Sequence, residues 1–144
     1  MDFFTTLSPA EKDTGRSLPE ETVRLIAERC ECDERVLAVY LLGSAARGTM
    51  RPDSDIDIGV LPARGEVLSA LELAEIAAGL SFETGYVVDA GLVDGRDLIY
   101  ATKALGGMRL FVREEKTTAL REAALRAMYL RFCEDRKEVV DAYS

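Results

Sequence analysis

Seven consecutive apolar residues, Val36–Leu42, stand directly before Gly43 and constrain the fold more than any other feature of this chain. A run of this length without polar alternation is typical of a strand that is buried on both faces. It is far shorter than the roughly 20 residues that a transmembrane helix needs. Because both faces of such a strand need cover, we expect a central sheet flanked by helices.

The apolar patterns on either side of this run predict further strands and helices. Alternation and short apolar runs predict three more strands, at Ile56–Val60, Tyr86–Val93 and Met108–Val112. Helical spacing predicts three helices after the first strand: a well-buried helix at Glu66–Leu80, and helices at Asp97–Leu105 and Glu114–Phe132. The predicted fold class is therefore α/β (α+β), in a single domain over residues 1–144.

One more helix is predicted ahead of the first strand. Ser17 and Glu20 have the spacing of a capping box, with Ser17 as the N-cap residue. Val23, Ile26 and Cys30 follow at the spacing of one face of an amphipathic helix. We therefore expect Cys30 to pack on a helix face.

Composition narrows the function classes and the compartment. The net charge is −8, so the chain lacks a broad basic surface, and we expect no direct binding of nucleic acid. The three cysteines, Cys30, Cys32 and Cys133, occur without any histidine, which argues against a closed zinc site. The odd number of cysteines, and an N-terminus without the features of a signal peptide, favour the cytoplasm and no membrane association.

Two aspartates stand one residue apart at the start of the second predicted strand. In a strand, Asp55 and Asp57 point to the same face, while Ile56 and Ile58 enter the core. Two carboxylates beside an apolar wall repel each other, and a divalent cation removes that repulsion. Mg²⁺ suits a few carboxylates, with water and phosphate oxygens as its other ligands.

A glycine and a serine follow the buried strand. Gly43 allows close approach of a ligand to the backbone, and Ser44 is placed to cap the short turn that follows. Free N–H groups at such a turn attract phosphate, and Arg47 adds a positive charge nearby. Gly43 and Ser44 binding phosphate, with Asp55 and Asp57 binding a metal ion, form one coherent arrangement.

A third carboxylate is expected where two metal ions act together, and the candidate is Asp89. It lies in an apolar strand, where an unpaired charge is unfavourable, and a neighbouring strand that carries Asp55 and Asp57 would explain its position. Each feature alone also has an ordinary interpretation as a solvated strand edge, a turn or an ion pair. Gly-Ser, ten residues and then Asp-x-Asp should occur together by chance in about one chain in 500 of this size.

These residues resemble a known family. Gly43-Ser44, Ala46-Arg47-Gly48, Ser54-Asp55-Ile56-Asp57 and Asp89 resemble the DNA polymerase beta-like nucleotidyltransferases, in particular the minimal, MntA-type antitoxins that are paired with HEPN-type RNase toxins. The resemblance implies a mixed central sheet of about four strands. It also implies ATP as substrate, two Mg²⁺ ions, and transfer of AMP with release of pyrophosphate.

The resemblance also implies a role for each matching residue. Gly43 and Ser44 would bind the triphosphate, and Asp55 and Asp57 would bind the metal ions. Asp89 would complete the metal site and help to activate the acceptor hydroxyl.

The acceptor is the most open question. The chain is too short to supply an elaborate acceptor site, so a partner or a second copy would build it, and Glu114–Phe132 offers a docking surface. The resemblance favours a type VII-like toxin–antitoxin pair, in which a tyrosine hydroxyl of the HEPN-type toxin accepts AMP. The alternatives are a small-molecule nucleotidyltransferase similar to aminoglycoside-modifying enzymes, an antitoxin that acts by binding alone, and a nucleotide-binding sensor.

Overall fold

The computed structural model describes residues 17–51 and 53–143. Helices and strands alternate along the chain. The helices are α1 (Glu20–Glu31), α2 (Gly43–Arg47), α3 (Ala70–Thr84), α4 (Leu98–Leu105) and α5 (Glu115–Tyr143). The strands are β1 (Val36–Leu42), β2 (Ile56–Pro62), β3 (Val88–Leu92) and β4 (Met108–Val112). None of the described helices is long and apolar enough to cross a membrane.

The four strands form one mixed sheet in the order β3-β2-β1-β4. Strand β1 pairs antiparallel with both β2 and β4, whereas β2 and β3 run parallel and are joined through α3. Every residue of β1 is buried, as its apolar sequence predicts. The predicted α/β class, with a mixed four-stranded sheet flanked by helices, is confirmed.

The sheet separates two apolar cores, and alternate residues of β1 enter each. Val39 and Leu41 pack on the side of α1 and α3, together with Ile26 and Leu80. The other core contains Tyr40 and lies under α4 and α5; its further members include Ala38, Leu42, Ala101, Leu105 and Leu125. The predicted burial of Cys30 on a helix face is confirmed.

The predicted capping box at Ser17 is wrong. Helix α1 begins at Glu20, and the N-cap position is Pro19, in an extended conformation with φ −57° and ψ 143°. The residue before a proline is biased away from helical geometry, so Leu18 cannot occupy the first turn of the helix. Leu18 is instead buried in the core.

Helix α3 begins four residues later than predicted and is less buried than predicted. Its capping box is formed by Ser69 and Glu72, whose backbone N–H groups each donate to the other's side chain at 3.1 Å. Only Ile76 and Leu80 of this helix are buried, and Phe82 is 88% exposed. The helix contacts the sheet through one stripe, so much of its remaining apolar surface faces outward.

The last helix is longer than predicted. It begins at Glu115 and continues to Tyr143, eleven residues past the predicted end at Phe132. Among the apolar side chains of this helix that the structure describes, Leu125 is buried, whereas Leu120 and Met128 are exposed.

Candidate active site

Strand pairing brings two of the predicted carboxylates together. In the parallel pair of β2 and β3, Asp57 and Asp89 are register partners, and neighbouring strands lie about 4.8 Å apart. Asp57 is the one exposed residue of an otherwise buried β2. Asp89 is also exposed, on a strand that forms an edge of the sheet. The expectation that Asp89 lies on a strand beside Asp57 is confirmed, whereas its expected burial among apolar side chains is not.

Gly43 lies against Asp57, where β1 ends. Leu42 is the register partner of Asp57, and the next residue turns the chain into α2. Gly43 has a φ of 70°, in the left-handed region that favours glycine. A Cβ at this position would lie 3.1 Å from Oδ2 of Asp57. The glycine thus allows the tight turn and leaves the carboxylate uncovered.

Strand ends and helix α4 enclose a cleft of about 200 Å³ at this point. Gly43, Asp57 and Asp89 line one part of it, and Tyr100 and Lys103 of α4 line another. The two residues of α4 are three positions apart, so they share a helix face. The cleft therefore combines two carboxylates, one ammonium group and an open stretch of backbone.

The charges in the cleft act on Asp57. Partial burial is the largest cause that raises the pKa of Asp57, and the nearby charges of Asp89 and Asp55 raise it further. The ammonium group of Lys103 acts in the opposite direction but does not cancel these effects. An additional cation beside Asp57 would therefore stabilise the charged form of its carboxylate.

Tyr100 is held in the wall of the cleft as a neutral hydroxyl group. Its hydroxyl donates a hydrogen bond to the carbonyl oxygen of Ile58 at 3.2 Å. Burial and the charges of Asp57 and Asp89 raise its pKa to about 12, so it does not serve as a base at neutral pH. Its ring occupies the space that a side chain at Gly91 would need.

Three predicted site residues do not line the cleft. Asp55 precedes β2, and Ser44 and Arg47 belong to α2. The predicted capping role of Ser44 is wrong, because the helix already includes it and the N-cap position is Leu42. Arg47 is exposed in the last turn of α2. The roles of these residues in binding metal and phosphate stay predictions.

The donor set fits a magnesium ion that is only partly enclosed by protein. Within the described ranges, no three His, Cys, Asp or Glu side chains are close enough together to hold a metal ion by themselves. Asp57 and Asp89 can supply two carboxylate ligands, and Mg²⁺ commonly takes its other oxygen ligands from water and phosphate. The raised pKa of Asp57 agrees with a place for added positive charge.

Tyr100 and Lys103 were not predicted as site residues from the sequence. They follow Asp89 by eleven and fourteen residues, on a helix with no motif of its own. Their i, i+3 spacing was the one available signal, because it places two polar side chains on one face of a largely apolar helix. Their position at the cleft depends on how α4 docks onto the sheet.

A family comparison decides the class of the chain. A family model described as a nucleotidyltransferase domain matches residues 23–117, which is more than half of the sequence. The chain belongs to this nucleotidyltransferase family. The matched residues contain Asp55, Asp57 and Asp89 and the whole sheet. No curated protein sequence gives a significant match.

Several solved structures share the fold of this nucleotidyltransferase. A chain from a toxin–antitoxin structure with AMP-PNP is 21% identical with a TM-score of 0.68, over 88% of this chain and 98% of that one. A chain from a MntA–HepT toxin–antitoxin structure is 18% identical with a TM-score of 0.66, over 87% and 98% of the two chains.

A third structure contains a tri-AMPylated Shewanella oneidensis HEPN toxin in complex with an MNT antitoxin. Its matching chain is 18% identical with a TM-score of 0.65, over 86% of this chain and 97% of that one. At these identities the likeness establishes a shared fold.

Proposed function

We propose that this nucleotidyltransferase is an antitoxin that transfers AMP from ATP to a hydroxyl group, most simply a tyrosine hydroxyl, of a HEPN-type RNase toxin. The observation that carries the proposal is the pairing of Asp57 with Asp89 beside the open backbone of Gly43. Family membership supports nucleotide transfer, and the structures with the same fold support the choice of substrate and partner. They include a toxin–antitoxin structure with AMP-PNP and a tri-AMPylated HEPN toxin bound to an MNT antitoxin.

The candidate site residues, in the cleft and beside it, support a simple sequence of events. The acceptor oxygen attacks the α-phosphorus and forms a new P–O bond, while the bond from that phosphorus to the β-phosphate oxygen breaks and pyrophosphate leaves. Asp89 accepts the proton of the acceptor hydroxyl. Backbone N–H groups of Gly43 and Ser44 bind the triphosphate, and Arg47 adds positive charge at the end of α2.

Magnesium belongs to the same proposal. Asp57 and Asp89 would hold it, and Asp55 would contribute from its position just before β2. Two Mg²⁺ ions, when bound, would neutralise charge on the phosphates and on the attacking and leaving oxygens. The three carboxylates then act as ligands whose mutual repulsion the metal ions relieve.

The surface charge supports the proposed partner and location. The chain carries a net charge of −8, and an RNase that binds RNA is expected to be basic around its active site. Opposite potentials accelerate the encounter of two proteins. The free thiols of all three cysteines support a reducing compartment such as the cytoplasm.

One experiment tests the function directly. The purified protein is incubated with labelled ATP, Mg²⁺ and a HEPN-type toxin protein, and the label is located by mass spectrometry. We expect adenylyl groups on the toxin with the wild type and none with the double variant Asp55→Asn and Asp57→Asn. Asp135→Asn, on the exposed surface of α5, is the matched control and should act as the wild type does.

Each result decides between mechanisms. An unmodified toxin that the wild type and the double variant neutralise equally in cells would show inhibition by binding alone. Label that appears on an aminoglycoside and not on the toxin would show a small-molecule transferase. Label on the toxin that does not depend on Asp55 and Asp57 would show that these carboxylates are assigned wrongly.

A further inference from the structure

Lys103 supplies the positive charge of the cleft. It lies on α4, one turn after Tyr100, and lines the same cavity as Gly43, Asp57 and Asp89. The other residues that line this cavity carry no positive charge. Arg47, the cation expected from the sequence, is not among them.

The ammonium group is close to the carboxylates but does not form an ion pair with them. Its charge opposes the rise in the pKa of Asp57, which places it near that carboxylate. Among the residues that the structure describes, however, no carboxylate lies within 4.0 Å of the Lys103 nitrogen. Lys103 can therefore bind another anion without first breaking a salt bridge.

The negative charge of the nucleotide makes the position of Lys103 important for binding. A nucleoside triphosphate brings about four negative charges to a cleft that already holds two carboxylates, and like charges oppose its entry. An ammonium group with three N–H donors is suited to bind phosphate oxygens as a point charge.

We propose that Lys103 binds the polyphosphate chain of the nucleotide, in the cleft that it shares with the Gly43 turn. This rests on the proposed nucleotidyl transfer and assigns it a binding residue outside the sequence motif. Because the interaction is with charge, it favours ATP and pyrophosphate and contributes nothing to the binding of adenosine. A residue that merely balanced the charge of Asp57 would show no such dependence on the ligand.

The test measures affinities by calorimetry for ATP, inorganic pyrophosphate and adenosine at fixed Mg²⁺ and ionic strength. Lys103→Met removes the positive charge and keeps most of the length of the side chain. Lys137→Met, which removes an exposed charge from the far part of α5, is the matched control. We expect Lys103→Met to bind ATP and pyrophosphate at least roughly tenfold more weakly, as the loss of a charge-assisted hydrogen bond implies. Adenosine binding and the melting temperature should stay as in the wild type.

Lys103→Arg restores a positive charge and should recover most of the affinity for ATP. Equal affinity of Lys103→Met and wild type for ATP would overturn the proposal while leaving nucleotidyl transfer intact. An equal loss for adenosine and ATP would also overturn it, since it would indicate a change in the shape of the cleft. Failure of the wild type itself to bind ATP with Mg²⁺ would instead refute the proposed function, and the role of Lys103 with it.

Discussion

Asp57 and Asp89 are register partners on the parallel strands β2 and β3, and both side chains line one cleft. The arrangement is unfavourable without a bound cation, because burial and two neighbouring carboxylates raise the pKa of Asp57. A site that binds metal with substrate commonly has this property, since the charges that hold the ion repel one another in its absence. We therefore expect the charged carboxylate of Asp57 to lower the stability of the metal-free protein at neutral pH.

Asp57→Asn should raise the melting temperature of the metal-free protein at neutral pH. The folded state binds the proton of Asp57 more tightly than the unfolded chain does, so stability falls as pH rises from the ordinary aspartate value through the raised pKa of Asp57. Asp57→Asn has no carboxyl group at this position, so its stability does not fall in this way as the pH rises. Thermal melts in EDTA should show a gap of a few degrees at pH 7 that closes below about pH 3.

The control for this comparison is Asp135→Asn, which changes an exposed carboxylate on α5. Its melting temperature should equal that of the wild type at both pH values. Added Mg²⁺ with ATP should stabilise the wild type and leave Asp57→Asn unchanged. A variant that melts below the wild type at pH 7 would show that the charge of Asp57 is already balanced in the folded protein.

Gly43→Ala should weaken metal-dependent binding of ATP more than it lowers stability. The new Cβ would lie 3.1 Å from Oδ2 of Asp57, in a residue with φ 70°. Gly85→Ala is the matched control, because its φ of 80° gives the same backbone strain of about 1–2 kcal/mol, and its Cβ would have no described atom within 4 Å. Calorimetry with MgATP should show a clear loss for Gly43→Ala alone. Similar losses for both variants would mean that only strain matters.

The sequence predicted those parts of the fold that depend on local pattern. The uninterrupted apolar run Val36–Leu42 and the strand Met108–Val112 have the bounds observed for β1 and β4. Helix α4 was predicted within one residue, since Asp97 is its N-cap and accepts a hydrogen bond from the Tyr100 N–H at 3.0 Å. Asp57 and Asp89 could be placed on adjacent strands because an unpaired carboxylate in an apolar strand needs an explanation.

Apart from the caps predicted at Ser17 and Ser44, the predictions that were wrong depend on how elements pack against one another. The apolar pattern cannot tell which stripe of α3 faces the sheet, so the helix was predicted to be well buried although Leu71 is 70% exposed. The position of α4 over the strand ends brings Tyr100 and Lys103 to the cleft, and no spacing in the sequence encodes that contact. Side-chain contacts between distant elements could not be predicted from the sequence pattern either. The hydrogen bond from the Tyr40 hydroxyl to Glu122 is an example.

Gly91→Ala should destabilise the protein and displace Tyr100. A Cβ at Gly91 would overlap the hydroxyl end of the Tyr100 ring, and the ring is held by its hydrogen bond to Ile58. Overpacking of this kind costs about 1–3 kcal/mol. Gly106→Ala is the control, because its Cβ would meet only ordinary contacts at 3.5 Å and beyond.

A double-mutant cycle identifies the cause of that loss. In a Tyr100→Ala background, Gly91→Ala should cost little, since the colliding ring is gone, and urea denaturation would show strong non-additivity. Additive losses would place the collision elsewhere in the wall of the cleft.

Glu122→Ala should destabilise the protein far more than Glu115→Ala, although both carboxylates pair with Arg109. The side chain of Glu122 is only 11% exposed and also accepts a hydrogen bond from the buried Tyr40 hydroxyl at 3.0 Å, whereas that of Glu115 is 78% exposed. Loss of a buried hydrogen bond to a charged group costs about 1.5–3 kcal/mol, and loss of an exposed ion pair costs less than about 1 kcal/mol. Urea denaturation of the two variants measures the difference.

Equal midpoints would mean that Glu122 does not hold α5 against the sheet. A Tyr40→Phe variant should then be neutral as well, whereas a functioning contact predicts that it loses part of the same stability.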